Sequence, residues 1–415
     1  MNLKGEIFFP GDKSISHRSL MFAALCDGKS KISNLSTGKD VQSTKNCLKD
    51  CGINIYNENS DHIIIGGKFK NPTKELDCGN SGTTARLLSG LLAGQNINAT
   101  LIGDSSLSNR PMKRIIEPLK SMGLKCSSRD FKLPLTIKSS ELNGINYNSP
   151  IASAQVKSAI ILAAIGSNKP TSFTEPILSR NHTEIMLKNI GVSINSTQLK
   201  TSVSNVKTKL KPFNFLVPGD PSSAAFFAGA ASMIKNSSLI LKNISGNETR
   251  LGIFSILKRM GATILKSNQR NILGEKIIDI TVENKTLNGV SISKDEIPSI
   301  IDEIPIIAII ASQAKGKTKI TGAKELRFKE SDRISSVVLN LKKMGADITE
   351  LEDGMIINGP KKLKGTFIKT YHDHRIAMAF EIASLVAEDN NKLDSIDCVD
   401  ISYPEFFETL NKIIK

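Results

Sequence analysis

The same module is written about six times along this chain, and that repetition limits the possible folds more than any other feature. Half of it is an amphipathic stretch ending in a glycine and an apolar strand: LKDCGINI (48–55), LKSMGLKC (119–126), LKNIGVSI (187–194), LKRMGATI (257–264) and LKKMGADI (341–348). The other half is a polar cluster opening an alanine-rich apolar helix, as in KSISHRSLMFAAL, NSGTTARLLSGLLA, SAQVKSAIILAAI, DPSSAAFFAGAAS, DEIPIIAIIASQA and DHRIAMAFEIASL. The glycines at 52, 123, 191 and 261 lie about 70 residues apart, so six units account for the chain. A repeated unit of this size buries its apolar face only against its neighbours. Glycine after each amphipathic helix is where a helix ends in a left-handed residue at little cost. The alanine-rich helices have no polar face and must be enclosed, while the amphipathic ones, as at Leu339–Lys343, carry lysine outward.

Short strands rich in Ile, Val and Thr, such as 238–241 and 317–320, alternate with the helices. That alternation predicts an α/β (α+β) fold rather than an all-helical stack. Pro10–Gly11 and Pro218–Gly219 are each followed by Asp and a helix start. They read as crossings between two three-repeat domains, 12–218 and 1–11 with 219–415, joined by a two-stranded hinge with the site in the cleft. Six helix starts, each with unpaired N–H groups and a positive dipole end, suit a common anion site.

Lys and Arg outnumber Asp and Glu by 55 to 40 in 415 residues, which favours an anionic partner. Nucleic acid is not expected, because there is no Trp, only four Tyr, and the lysines are dispersed. Nor is a membrane: the longest apolar runs, near 159–165 and 304–311, are far shorter than the roughly 20 residues a span needs. The N-terminus shows no secretory pattern, and six cysteines form no CxxC pair, so they read as buried, reduced hydrophobes of a cytoplasmic protein.

The polar clusters carry the chemistry. Lys13, Ser14 and Arg18 open one helix, with Arg18 one turn beyond Ser14; Asp12 interrupts any resemblance to a nucleotide-binding loop. Asn80 and Gly82 sit where the backbone approaches a ligand, and Arg110 precedes a proline suited to a first helical turn. Ser153, Ala154 and Gln155 offer a hydroxyl and an amide. In the C-terminal half, Asp302 and Glu303 open an apolar helix, and Lys329–Arg333 packs five polar residues whose i, i+4 cations share a helical face with Glu330 beside them. His372 and His374 flank Asp373 before Arg375, with no third ligand at a fixed spacing to support a metal. The fourth start, at Asp220–Pro221, bears no cation. Together the arginines at 18, 110, 333 and 375 and the lysines at 13 and 329 suit two small anions, with Asp302 and Glu330 as acid and base.

At these residues the sequence resembles the 5-enolpyruvylshikimate-3-phosphate synthases over essentially its whole length. The motifs are GDKSISHR (11–18), GNSGTTAR (79–86), RPM (110–112), SAQVK (153–157), SRNHTE (179–184), GDPSSAAFF (219–227), IDEIP (301–305), KESDR (329–333) and DHRIAM (373–378). The resemblance implies a two-domain inside-out α/β barrel of six βαβαββ repeats, three per domain. It implies transfer of the enolpyruvyl group of phosphoenolpyruvate to the 5-hydroxyl of shikimate 3-phosphate, without metal or organic cofactor, on the route to chorismate. Carried over, Lys13, Ser14, Arg18, Ser153, Ala154, Gln155, Ser179, Arg180 and Lys329 hold shikimate 3-phosphate, with Asp302 on the reacting hydroxyl. Phosphoenolpyruvate lies against Lys13, Gly82, Arg110, Gln155, Arg333 and Arg375, near Asn80 and His374. Asp302, Glu330 and Lys13 are the implied proton-handling residues. A monomer acting on these two small molecules is expected, with closure of the domains on sugar-phosphate binding.

SAQxK, RxHxE (180–184) and NxTR (247–250) resemble the subgroup often tolerant of glyphosate, whose tolerant members usually carry alanine where this chain has Gly82. Two rival readings fit the residues less well. A UDP-N-acetylglucosamine enolpyruvyl transferase normally opens on a Gly-Asn-Lys-Asn type motif and uses a loop cysteine, neither of which fits here. A basic nucleic-acid-binding repeat protein leaves Asp302 and Glu330 unexplained, because carboxylates repel phosphates.

Overall fold

The computed structural model describes residues 1–204, 206 and 209–415. Its strands repeat one design. Five four-stranded sheets each place an outer strand parallel to its neighbour and complete the sheet with a hairpin. In one of them Leu76 faces Leu101, which faces Leu135 on the hairpin. The sixth repeat departs from the expected equality: only the parallel pair Phe367–Ile368 and Lys392–Leu393 forms. A helix, Phe406–Ile413, follows instead, and Phe406 packs its ring 5.6 Å from Phe227 and 5.9 Å from Phe226. The aromatic contacts give this unit the apolar cover that a hairpin gives the others.

The chain forms two compact units, each with its own apolar core. The middle unit comprises Gly11–Val217 and Asn271–Glu275; the terminal unit comprises Met1–Pro10, Pro218–Arg270 and Lys276–Lys415. At both crossings a strand is separated from the helix that follows it. Lys4–Phe8 pairs with Ser238–Ser245 in the terminal unit, whereas Asn214–Leu216 pairs with Gly28–Ser33 in the middle unit. Glycine is required at the first crossing, because a Cβ on Gly11 would lie 2.0 Å from the Asn34 carbonyl oxygen.

The alanine-rich segments are buried helices, as their lack of a polar face predicts. Lys13–Leu25, Gly82–Gly94 and Ala154–Ala164 lie in the middle unit, and Pro221–Met233, Ile304–Gln313 and His374–Ser384 in the terminal unit. Two of them meet backbone to backbone: a Cβ on Gly90 would lie 2.0 Å from the Ala159 carbonyl oxygen. The glycines at 52, 123, 191, 261 and 345 all adopt positive φ, between 85° and 110°, so the helix-ending role read from the repeat holds at each. On the helix Arg333–Lys343, Lys342 and Lys343 face outward as expected, but Asn340 is buried and joins the Lys369 backbone through both its amide atoms.

All six cysteines are free, and all but the half-buried Cys126 are buried. Among the described residues no helix is long and apolar enough to cross a membrane, and no group of three or more His, Cys, Asp or Glu is arranged to hold a metal ion.

Candidate active site

The middle unit gathers its polar residues at helix starts, because a capped start satisfies its orphan N–H groups while leaving side chains exposed. Asp12 caps the Lys13 helix, accepting from the Ile15 amide at 2.8 Å. Lys13 then leans on Asp40 at 3.0 Å, and the Arg180 guanidinium donates to the Ser14 hydroxyl at 3.3 Å. Arg18 is buried, and each of its three guanidinium nitrogens donates once, to Thr183 Oγ1 and Ser158 Oγ at 2.7 Å each and to the Ser14 carbonyl at 2.9 Å. Burial pulls its pKa down to about 10, with Glu184 and Asp12 working against that fall.

Ser81 caps the Gly82 helix and Ser153 the Ala154 helix. The amide of Gln155 ties them together, donating to Thr83 Oγ1 at 3.1 Å and accepting from Arg86 at 2.7 Å. Arg110 donates to Asn80 Oδ1 at 2.6 Å, and Asn80 donates in turn to Asp104 at 2.7 Å. A Cβ on Gly82 would lie 2.9 Å from one Arg86 nitrogen and 3.6 Å from one of Arg110, so both guanidinium ends converge at this glycine.

In the terminal unit the arrangement is tighter. The Asp302 carboxylate meets three cations: Arg333 at 3.4 Å, Lys329 at 3.6 Å and Arg375 at 3.9 Å. Arg333 also holds Glu330 at 2.7 Å and grips Asp373 with two nitrogens, at 2.8 and 3.1 Å. Burial alone would lower the Arg333 pKa, but Asp373, Glu330 and Asp302 raise it above the ordinary arginine value. Lys329, half-buried, moves the other way: burial lowers its pKa, Asp302 opposes that, and Arg333 reinforces it.

Several sequence readings need correcting. Lys329 and Arg333 do not share a helical face, because the helix begins only at Arg333, capped by Asp332, while Lys329 ends a short 3-10 helix, Lys324–Phe328. The two cations meet instead through Asp302. Pro111 lies before its helix, which starts at Lys113. His372 is exposed and His374 buried, so the pair does not converge. The fourth helix start bears no cation of its own, and Arg250 of the NxTR motif supplies one, binding Asp220 at 2.9 Å and the Ser222 hydroxyl at 2.9 Å. Ser222 also donates to Glu303. Sequence reasoning missed Arg86, Asp373 and Asp40 as partners of the site. The first two stand inside motifs already singled out, whereas Asp40 carries no local signal.

Comparison with known proteins identifies the family to which this fold belongs. The family described as EPSP synthase (3-phosphoshikimate 1-carboxyvinyltransferase) matches residues 1–410. A 3-phosphoshikimate 1-carboxyvinyltransferase of Thermodesulfovibrio yellowstonii is 48% identical over 420 residues, covering 100% of this chain and 98% of the relative. The solved EPSP synthase of Acinetobacter baumannii superposes with a TM-score of 0.88 at 40% identity, covering 99% of this chain and 96% of that one. The enolpyruvyl transferase NikO from Streptomyces tendae shares the fold alone, with a TM-score of 0.78 at 15% identity over 99% of this chain and 95% of that one. The match over residues 1–410, with 48% identity to a relative over the whole chain, makes this chain a member of the EPSP synthase family.

Proposed function

We propose that the two clusters serve one reaction: transfer of the enolpyruvyl group of phosphoenolpyruvate to the 5-hydroxyl of shikimate 3-phosphate, with release of phosphate. Lys13, Ser14, Arg18, Ser153, Ala154, Gln155, Ser179, Arg180 and Lys329 bind the sugar phosphate. Asn80, Gly82, Arg110, Gln155, Arg333, His374 and Arg375, with Lys13, receive phosphoenolpyruvate. Each substrate carries a phosphate and a carboxylate, and burying such anions without cations is prohibitively costly. Family membership favours this reading over the UDP-sugar transferase and the nucleic-acid-binding protein. No membrane or nucleic-acid partner is invoked, and a cytoplasmic monomer suffices.

The observation that carries the mechanism is a carboxylate, Asp302, held among three cations with Glu330 joined to the same arginine. When the substrates' anionic groups take over those cations, Asp302 is released to accept a proton. It removes the proton of the 5-hydroxyl as that oxygen bonds to C2 of the enol, and C3 gains a proton to become a methyl group. The C2–O bond to phosphate then breaks, and loss of a C3 proton restores the double bond. Glu330 and Lys13 handle the proton transfers at C3 and at the departing phosphate. Asp302→Ala is expected to lower kcat by about 10²–10⁴-fold, read as phosphate release from phosphoenolpyruvate with and without shikimate 3-phosphate. Near-normal turnover by the folded variant sinks the base assignment.

A further inference from the structure

A buried polar knot in the middle unit joins the Ala154 helix to the helix His182–Asn189, and none of the roles above uses it. Lys157 Nζ lies 2.6 Å from Glu175, 2.8 Å from Glu184 and 3.5 Å from the Ser179 carbonyl oxygen. An ammonium has three N–H donors, so these three oxygens take them all. Lys157 is 1% exposed, Glu175 3% and Glu184 5%, which leaves the charges little solvent to answer to.

The residue adjacent to Lys157 on one helix and to Glu184 on the other reaches Arg18. Ser158 and Thr183 accept from its guanidinium at 2.7 Å and bond each other at 2.6 Å. Two cations, Lys157 and Arg18, thus balance two glutamates, with Glu184 pairing with one and supporting the charge of the other. Between Glu175 and Glu184 runs the segment carrying Ser179 and Arg180, so Lys157 anchors both of its ends and its middle. A buried ion pair adds little net stability over a well-packed apolar pair. Its contribution here is geometry.

We propose that Lys157 is a positioning residue for the sugar-phosphate half of the reaction. By fixing the 175–184 segment it sets Ser179 and Arg180, and through Ser158 and Thr183 the guanidinium of Arg18, at the spacing shikimate 3-phosphate needs. The inference rests on the reading of Arg18, Ser179 and Arg180 as ligands of that substrate. It also gives two separate motifs one purpose, since the last residue of SAQVK meets the last residue of RxHxE.

Lys157→Met alone strands two buried carboxylates and risks unfolding, so the test uses Lys157→Met/Glu175→Gln/Glu184→Gln, neutral and close in volume. Thr183→Val supplies a second arm that alters no charge. Calorimetric titration with shikimate 3-phosphate alone, beside steady-state kinetics, should show its affinity weakened by roughly tenfold to a hundredfold in the triple variant. Thr183→Val should weaken it in the same direction. In both variants kcat and the KM for phosphoenolpyruvate should stay within about threefold of the parent, a split that a general packing defect does not produce. Parental affinity in either folded variant overturns the proposal, as do equal losses for both substrates. Arg180→Gln runs as the control. If it binds shikimate 3-phosphate normally, the ligand reading falls and the inference with it; if only it is impaired, the positioning role alone falls.

Discussion

His17 lies one residue before Arg18, wholly buried, with Nδ1 2.7 Å from the Thr44 hydroxyl, which in turn lies 2.7 Å from that of Thr84. That chain links three helices, Lys13–Leu25, Lys39–Asp50 and Gly82–Gly94, through side chains too short to span more than one contact each. Burial, with Lys13 and Arg18 adding repulsion, holds the imidazole well below its ordinary 6.5. The unfolded chain takes up a proton on this residue as pH falls through 6.5, and the folded chain does not. Stability contributed by the neutral ring is therefore present above 6.5 and lost below it, by at most about 1.4 kcal/mol per pH unit. Denaturant titrations of the parent and His17→Gln at pH 7.5 and 5.5 should show their stability difference shrinking at the lower pH. A constant difference would mean that the folded protein protonates His17 as readily as the unfolded chain. The motif placed this histidine in the sequence, but nothing local announced its partners, because Thr44 is 27 residues away on another helix.

Among elements, the turn that carries Lys329 and Glu330 was the least legible. Its spacing fits a helix, yet the chain leaves helical geometry after Phe328 and re-enters it at Arg333. Arg327 explains how such a turn is held. All five of its N–H donors find oxygens: the Glu352 and Leu351 carbonyls at 2.8 Å each, Asp332 at 2.7 Å, Glu350 at 2.9 Å and Ser335 at 3.2 Å. One guanidinium thereby joins the 3-10 helix, the start of the next helix and the hairpin tip beside them. Arg327→Lys keeps the charge but not the planar fork. It should cost roughly tenfold in kcat by misplacing Glu330, with the KM for phosphoenolpyruvate little changed in a phosphate-release assay at saturating sugar phosphate. Parental kcat would show that the turn holds without its staple. The alanine-rich helices, by contrast, were legible, because caps, apolar faces and terminal glycines act within a few residues of one another.

For the molecule as a whole, the proposed reaction draws Asp302 and Glu330 from one unit and Lys13, Arg110 and Gln155 from the other onto the same pair of substrates. Adding shikimate 3-phosphate should therefore reduce the radius of gyration in solution scattering, and phosphoenolpyruvate alone should do so less. An unchanged scattering curve removes substrate-driven closure from the mechanism. The repeat is less uniform than its sequence: five sheets share a topology, the sixth repeat keeps only a parallel pair, and each crossing parts a strand from its following helix. By itself the sequence determined the module, the left-handed glycines, the enclosed helices and the residues at each helix start, since these follow from periodicity and sterics over a few residues. Only the tertiary structure decided which polar groups meet. Arg18 finds Ser158 and Thr183 across 140 and 165 residues, and Arg375 finds Asp302 across 73. Such pairings depend on how buried helices pack, and a buried charge takes whatever counter-charge that packing brings within reach.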